Sequence, residues 1–133
     1  MPLKDTIVLL AAVVLSPPAL AQPSGPVTQD TMNRDSASRL AVSERQMKSL
    51  VATLNARYPP PFRVALRRSQ RAWEAYRDAD CAFQASGVAG GSVQPLVLAE
   101  CRADRTDVRV KDLKAQVDCQ EGDMSCVKWA ERR

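Results

Sequence analysis

The chain has 133 residues, a net charge of +4 at neutral pH, four cysteines and no histidine. A chain of this length forms one small domain, whose core is marginal without covalent staples. The lack of histidine removes the commonest general base and the commonest non-sulfur zinc ligand, and no nucleophile–base pair replaces it. The composition therefore argues against an enzyme, a bound cofactor and a metal centre.

The first 21 residues carry the three-part pattern of a secretory signal peptide. Lys4 precedes an apolar run over residues 7–15, and the tripeptide Ala-Leu-Ala at positions 19–21 is a small-x-small cleavage site. The apolar run is about half of the roughly 20 residues that a membrane-spanning helix needs. We therefore expect residues 1–21 to be a signal peptide and the protein to be periplasmic or secreted, not an integral membrane protein.

Residues 22–35 are predicted to be a flexible linker, because the segment begins with a Pro/Ser/Gly-rich stretch that buries no apolar area. A helical domain is predicted over residues 36–119. Ser43 and Gln46 form a candidate capping box, so the first helix starts near Ser36 or at Ser43, and three prolines at 59–61 end it. Its apolar side is formed by Leu40, Met47, Leu50, Val51, Leu54 and Tyr58.

The second helix is predicted from a stripe of residues at helical spacing, namely Phe62, Leu66, Ser69, Trp73, Tyr76 and Phe83. Residues 86–91 break this pattern, and Ser92 is a candidate N-cap for a third helix that ends near Cys119. No segment shows sustained alternation of apolar and polar residues. The fold class is therefore all-α, a three-helix up-down bundle stapled by disulfides.

Four cysteines allow three pairings, and the hairpin geometry favours one of them. Cys81 closes the second helix and Cys101 lies about two turns into the third, so the Gly-rich turn can bring them together. Cys119 would then pair locally with Cys126, clip the tail over residues 120–133 and fold Trp129 back onto the third helix. The spacings match no zinc pattern and include no C-x-x-C, so structural disulfides are expected.

These residues resemble the LprI-like family of lysozyme inhibitors over about residues 50–114. The motif residues are Leu54, Asn55, Tyr58, Gln70, Arg71, Ala72, Trp73, Tyr76, Arg77, Asp78, Cys81, Gly90, Gly91, Ser92, Cys101, Thr106, Arg109 and Leu113. The resemblance implies a helical domain outside the cytoplasm with Cys81 paired to Cys101. It also implies a non-enzymatic binding protein that inhibits lysozyme, by steric occlusion of its cleft.

Two interpretations of the polar motif residues remain open. Arg77, Asp78, Thr106 and Arg109 flank the predicted staple on two helices, where they could form a patch for a partner. They could equally form an intramolecular Arg–Asp pair that fixes the register of the helices, which is the interpretation we favour.

Two classes of partner are predicted from the charges. A lysozyme or another basic cell-wall hydrolase needs a local acidic element, for which Asp104, Asp107 and Asp112 are the candidates. The alternative is a structural or envelope-stress protein that binds anionic cell-wall or membrane material. Its candidate residues are Arg63, Arg67 and Arg71, an i, i+4 ridge on the second helix that Glu74 and Asp78 continue with opposite sign. Nucleic acid is not expected, because no stacking aromatics accompany the arginines.

Overall fold

A computed structural model describes residues 26–120 and 122–127. This part of the chain forms α1 (Gln29–Arg57), α2 (Pro60–Gln84) and α3 (Gln94–Val117), with a short 3-10 turn at Ser86–Val88 between α2 and α3. The predicted all-α, three-helix fold is confirmed, and the described ranges contain no strand. The predicted signal peptide and Trp129 lie outside the described residues.

Helix α1 begins earlier than the sequence pattern indicates. Thr28 is its N-cap, and a reciprocal capping box joins the Thr28 side chain to the Thr31 backbone N (3.2 Å) and the Thr31 side chain to the Thr28 backbone N (2.8 Å). A threonine takes the place of the Glu or Gln that usually completes this motif. Residues 29–35 are therefore helical, and the linker expected over residues 22–35 does not extend past Thr28.

The turn before α3 also differs in detail from the expectation. The N-cap of α3 is Val93, which makes no side-chain cap, and the predicted cap Ser92 lies outside the helix. The Gln94 side-chain oxygen instead accepts from the backbone N of Gly90 (2.8 Å), a residue whose φ of 78° favours glycine. Helix α3 ends at Val117, just before the predicted end at Cys119.

The helices run up, down and up, so α1 and α3 are parallel. At one end Asn33 Nδ2 donates to the carbonyl oxygen of Ser92 (3.1 Å), and at the other Arg57 Nη1 donates to the carbonyl oxygen of Val117 (2.7 Å). Small buried residues at the first of these ends allow close approach of the helices; they are Ser36, Ser43, Ala85, Ala99 and Ala103.

Large apolar side chains fill the opposite end of the bundle. The fully buried cluster consists of Met47, Leu54, Tyr58 and Leu113, and it is flanked by Leu50, Val51, Phe62, Leu66, Trp73, Val110 and Val117. Full burial of one such leucine contributes about 1.5–3 kcal/mol. This cluster holds the N-terminal half of α2 against the other two helices.

The predicted apolar stripe of α2 is buried only in part: Phe62, Leu66 and Trp73 pack against the core cluster. Tyr76 and Phe83 are 58% and 77% exposed, so their assignment to the core is wrong. The buried residues of α2 are Gln70, Arg77 and Cys81. Helix α2 turns this polar side inward because the other helices supply hydrogen-bond partners for it, as described below.

Both predicted disulfides are present. Cys81 joins Cys101 across the α2–α3 hairpin with a Cα–Cα distance of 5.6 Å, and Cys119 joins Cys126 with a distance of 5.8 Å. The second bond turns the chain back beside the end of α3. Among the residues described, no helix is long and apolar enough to cross a bilayer.

Candidate functional site

Arg77 lies at the centre of the bundle and contacts all three helices. Its side chain is only 9% exposed and forms ion pairs with Glu44 of α1 (3.3 Å) and Asp78 of α2 (2.9 Å). Its Nη1 also donates to the hydroxyl of Thr106 on α3 (3.2 Å). A buried guanidinium is tolerated because these partners offset its loss of hydration.

Trp73 lies within cation–π distance of two guanidinium groups. The centre of its ring is 5.3 Å from the Arg77 guanidinium carbon and 5.8 Å from that of Arg109, both within cation–π range. Arg109 also donates to Gln70 Oε1 (3.3 Å) and Ser69 Oγ (3.2 Å). Burial lowers the pKa of Arg109 from its ordinary value, and the nearby Asp112 carboxylate opposes that change.

The remaining motif residues also hold the helices together. Thr106 is fully buried, and its hydroxyl donates to the carbonyl oxygen of Arg102 (2.7 Å) while it accepts from Arg77. Asp78 pairs with Arg102 on α3 as well (3.2 Å), and Leu113 is part of the apolar cluster. The structure therefore favours the interpretation of an intramolecular network, which is broader than a single Arg–Asp pair.

Gly91 and Ser92 serve the turn between α2 and α3. A Cβ atom added at Gly91 would lie 3.2 Å from the carbonyl oxygen of Val88, so a side chain there would require a shift of the turn. Ser92 contributes its backbone carbonyl to Asn33, as noted above. Tyr76 differs from the other motif residues on α2 because its side chain is directed to solvent.

One cluster has ligand types that a metal could use. Asp80 lies beside Cys81 and Cys101, with the three candidate ligand atoms within 4.8 Å of one another. Both sulfurs are joined in the disulfide, so neither is a thiolate, and the Asp80 carboxylate pairs with Arg105 (2.9 Å). These bonds explain the cluster without a metal ion.

An acidic edge runs along α3 where it faces α1. Three carboxylates, those of Glu100, Asp104 and Asp107, surround the single guanidinium of Arg39 at 2.5, 2.6 and 2.9 Å. Hydrogen bonds to these carboxylates raise the pKa of Arg39 above its ordinary value. Asp107 also accepts from Ser43 Oγ (2.5 Å). The predicted acids Asp104 and Asp107 are therefore ion-paired, yet one guanidinium neutralises only one of the three charges.

Asp112, the third predicted acid, lies away from this edge. It lines an apolar groove of about 330 Å³ between the C-terminal ends of α1 and α3 and the beginning of α2. The groove is formed largely by apolar side chains, including Leu54, Leu66 and Leu113, and Val127 of the clipped tail lies at its edge. We call it the tail-end groove. Sequence reasoning did not predict it.

The arginine ridge of α2 remains on the surface. Arg67 and Arg71 are exposed and Arg63 is partly exposed. The ion pairs found among the described residues do not include any of the three. Asp78, which was expected to balance the ridge, is used by Arg77 and Arg102. Of the two acids that continue the ridge, only Glu74 is therefore left to balance its charge.

Comparison with known proteins identifies the family. The family model described as lysozyme inhibitor LprI matches residues 21–113, which include all three helices except the end of α3. The chain belongs to the LprI family. LprI is a family of lysozyme inhibitors by description, and this membership together with two disulfides indicates a location outside the cytoplasm.

The chain is also similar in sequence to a curated protein. An uncharacterised protein of Rhizobium meliloti (strain 1021) is 37% identical over 57 residues, which cover 43% of this chain and 41% of that protein. The match thus spans about two fifths of the relative's length. No solved structure matches the chain.

Sequence reasoning missed several residues that build these LprI features. Arg39 and Glu44 were not singled out, although each contacts a predicted site residue. Ser36 and Ser43 offered a signal, because they continue the spacing of Leu40 and Met47 along one side of α1. Small residues at such positions indicate close helix packing.

Proposed function

We propose that this protein is a non-enzymatic inhibitor, periplasmic or secreted, that binds a lysozyme and blocks its cleft by steric occlusion. The observation that carries the proposal is the acidic edge, where Glu100, Asp104 and Asp107 retain net negative charge beside Arg39. Common lysozymes are basic, whereas this chain has a net charge of +4. A local acidic surface provides the complementarity that the net charge does not.

One exposed apolar side chain, that of Val108, lies beside Asp104 of the acidic edge. Asp104 also lines a shallow hollow of about 260 Å³, together with Gln84, Cys101, Arg105 and Val108. Val108 is 56% exposed, and Phe83, which precedes Gln84 on α2, is 77% exposed. Apolar anchors beside charged groups are typical of protein interfaces. This surface therefore fits a basic protein better than a small ligand.

Replacing Asp104 and Asp107 by asparagine is expected to weaken inhibition about ten-fold, since two charged contacts with a basic partner are lost. The measurement is a lysozyme lysis assay titrated with the oxidised protein. The matched control is Asp112→Asn with Asp118→Asn, which changes the net charge equally at the other end of α3. Equal inhibition by both double variants would show that the acidic edge does not contribute to lysozyme binding.

A second variant separates binding from folding. Phe83→Ser leaves every described ion pair in place and alters only an exposed side chain, so it should fold like the wild type. We expect it to inhibit lysozyme more weakly as well. If the wild-type protein does not inhibit at large excess, steric occlusion of lysozyme is excluded.

A second candidate function rests on the arginine ridge. Arg63, Arg67 and Arg71 have no carboxylate partner among the described residues, so their charge is available to anionic cell-wall or membrane material. Binding to isolated cell walls or anionic vesicles would then fall steeply between about 50 and about 200 mM salt. Changing all three to glutamine should abolish sedimentation with this material.

The control for the ridge removes the same charge elsewhere. Arg45, Lys48 and Lys111 are exposed on α1 and α3 and take part in none of the ion pairs found in the described residues. If the triple glutamine variant of these residues loses binding to the same extent, the effect is one of net charge and the ridge is not a site.

A further inference from the structure

The outward side of α2 is almost uncharged over about five helical turns. Tyr76 and Phe83 lie on this side and are 58% and 77% exposed. They share it with one charged residue, Arg68, and with exposed alanines at helical spacing, namely Ala65, Ala72, Ala75, Ala79 and Ala82. We call these eight residues the outer face of α2. A continuous, exposed apolar strip of this kind is typical of a docking surface.

The side chains of the outer face change in size along the helix. The N-terminal half carries the small side chains of Ala65 and Ala72, whereas the C-terminal half carries the rings of Tyr76 and Phe83. If two copies of α2 pair antiparallel about a point between residues 74 and 75, Tyr76 of one copy lies beside Ala72 of the second. Phe83 then lies beside Ala65 of the second copy. Large side chains therefore pack over small ones on both sides of a two-fold axis.

The charges beside the outer face are complementary in the same antiparallel arrangement. The arginine ridge runs along one edge of the face in its N-terminal half, and Glu74 and Asp78 follow along that edge with opposite sign. A basic half followed by an acidic half repels a parallel copy and attracts an antiparallel one. About the same point between residues 74 and 75, Arg71 of one copy lies opposite Asp78 of the second. Arg68 would lie near the ring of Phe83 in the second copy, which is a cation–π partner.

We propose that the outer face of α2 is a homodimer interface, in which α2 packs antiparallel against α2 of a second copy across a two-fold axis. Residues 65–83 span about 28 Å of helix, and a contact of this length and one helix diameter in width buries on the order of 1,000 Å² in total. This area is at the low end for specific interfaces. The dimer should therefore dissociate with a Kd of about 10–100 µM.

A membrane surface is the other occupant that an apolar helix face can have. Helices that lie on membranes carry large apolar side chains, whereas the outer face of α2 has alanine at five of its eight positions. Alanine adds little to insertion into lipid, but it allows two helices to approach closely. The observations therefore favour a second copy of this chain.

The dimer interface is distinct from the acidic edge of α3 but shares one residue with the proposed lysozyme contact. Phe83 would be covered in the dimer, so lysozyme is expected to bind the monomer. Arg71 would likewise serve the dimer, which leaves Arg63 and Arg67 of the ridge for anionic material. The inference does not depend on inhibition, because the oligomeric state is measured without lysozyme.

Sedimentation equilibrium of the oxidised protein tests the inference. Between about 5 and about 500 µM, the average mass should rise from that of one chain toward that of two. Ala72→Arg places a bulky cation beside Tyr76 of the second copy and should raise the Kd at least about ten-fold. The matched control is Ala115→Arg, which adds the same side chain at an exposed alanine of α3 and should leave the Kd unchanged. A wild-type protein that stays monomeric throughout, or equal Kd values for the two variants, would overturn the proposal.

A charge reversal tests the antiparallel arrangement. Arg71→Glu places a carboxylate opposite Asp78 of the second copy and should raise the Kd several-fold. Arg45→Glu changes the net charge equally at an exposed position of α1 and should not raise it. Equal Kd values for these two variants would contradict the antiparallel pairing. Binding of a monomeric protein to phosphatidylcholine vesicles, lost in Ala72→Arg, would overturn the proposal and assign the outer face to a membrane.

Discussion

Replacing Arg77 by alanine is expected to lower the free energy of unfolding by about 3–5 kcal/mol, because it removes the cation from a buried network and leaves its partners behind. Glu44 and the Thr106 hydroxyl would each lose a partner, and Trp73 would lose one of its two neighbouring guanidinium groups. Urea denaturation followed by circular dichroism measures the change. It should appear as a lower midpoint with a similar slope.

The control for this variant lies on the same helix. Arg71 is exposed, and Arg71→Ala should change the free energy of unfolding by less than about 0.5 kcal/mol. Arg77→Lys should fall between the two, since an ammonium group keeps the charge but cannot match the planar fork of the guanidinium. A free energy of unfolding for Arg77→Ala equal to that of Arg71→Ala would mean that the network does not stabilise the bundle.

Removal of the Cys81–Cys101 disulfide is the second change with a large expected effect. The two residues are separated by 20 positions, and a loop of this size corresponds to about 3 kcal/mol in the chain-entropy description. Cys81 is fully buried, so its sulfur also fills space between α2 and α3. The variant Cys81→Ala with Cys101→Ala should therefore unfold at a markedly lower urea concentration than the wild type.

The other disulfide provides a direct comparison. Cys119 and Cys126 are separated by 7 positions, which corresponds to about 2 kcal/mol, and their loop lies outside the helical core. Loss of this bond should thus destabilise the protein less than loss of Cys81–Cys101. The reverse order would show that loop size does not govern the contribution of the two bonds.

Local rules were sufficient to predict much of the architecture from the sequence. Proline placement and the glycine-rich turn separate the helices, and the same turn brings Cys81 to Cys101. The family was also identified correctly from the sequence. These features depend on residues that are close along the chain, or on the single chain reversal between α2 and α3. They can therefore be predicted from one sequence.

The polar interior could not be predicted in the same way. Apolar periodicity assigned Tyr76 and Phe83 to the core, whereas Gln70 and Arg77 are buried on α2 instead. Burial of those two side chains is stable only because partners on α1 and α3 satisfy them, and hydrophobicity on α2 gives no sign of such partners. The pairing of Arg39 with the acids of α3 was missed for the same reason.

Because α1 and α3 run parallel, α2 must first lead the chain back along the length of the bundle, and only then can α3 pack beside α1. Arg39 and Asp107 meet across 68 positions of sequence, and closing so long a loop costs more entropy than joining neighbours, which slows folding. Oxidation of Cys81 and Cys101 closes the α2–α3 hairpin independently of α1 and prepares the surface on which α1 docks. Disulfide formation and folding are thereby coupled. In a reduced chain, the contacts between α1 and α3 must form before the Cys81–Cys101 disulfide has joined α2 to α3.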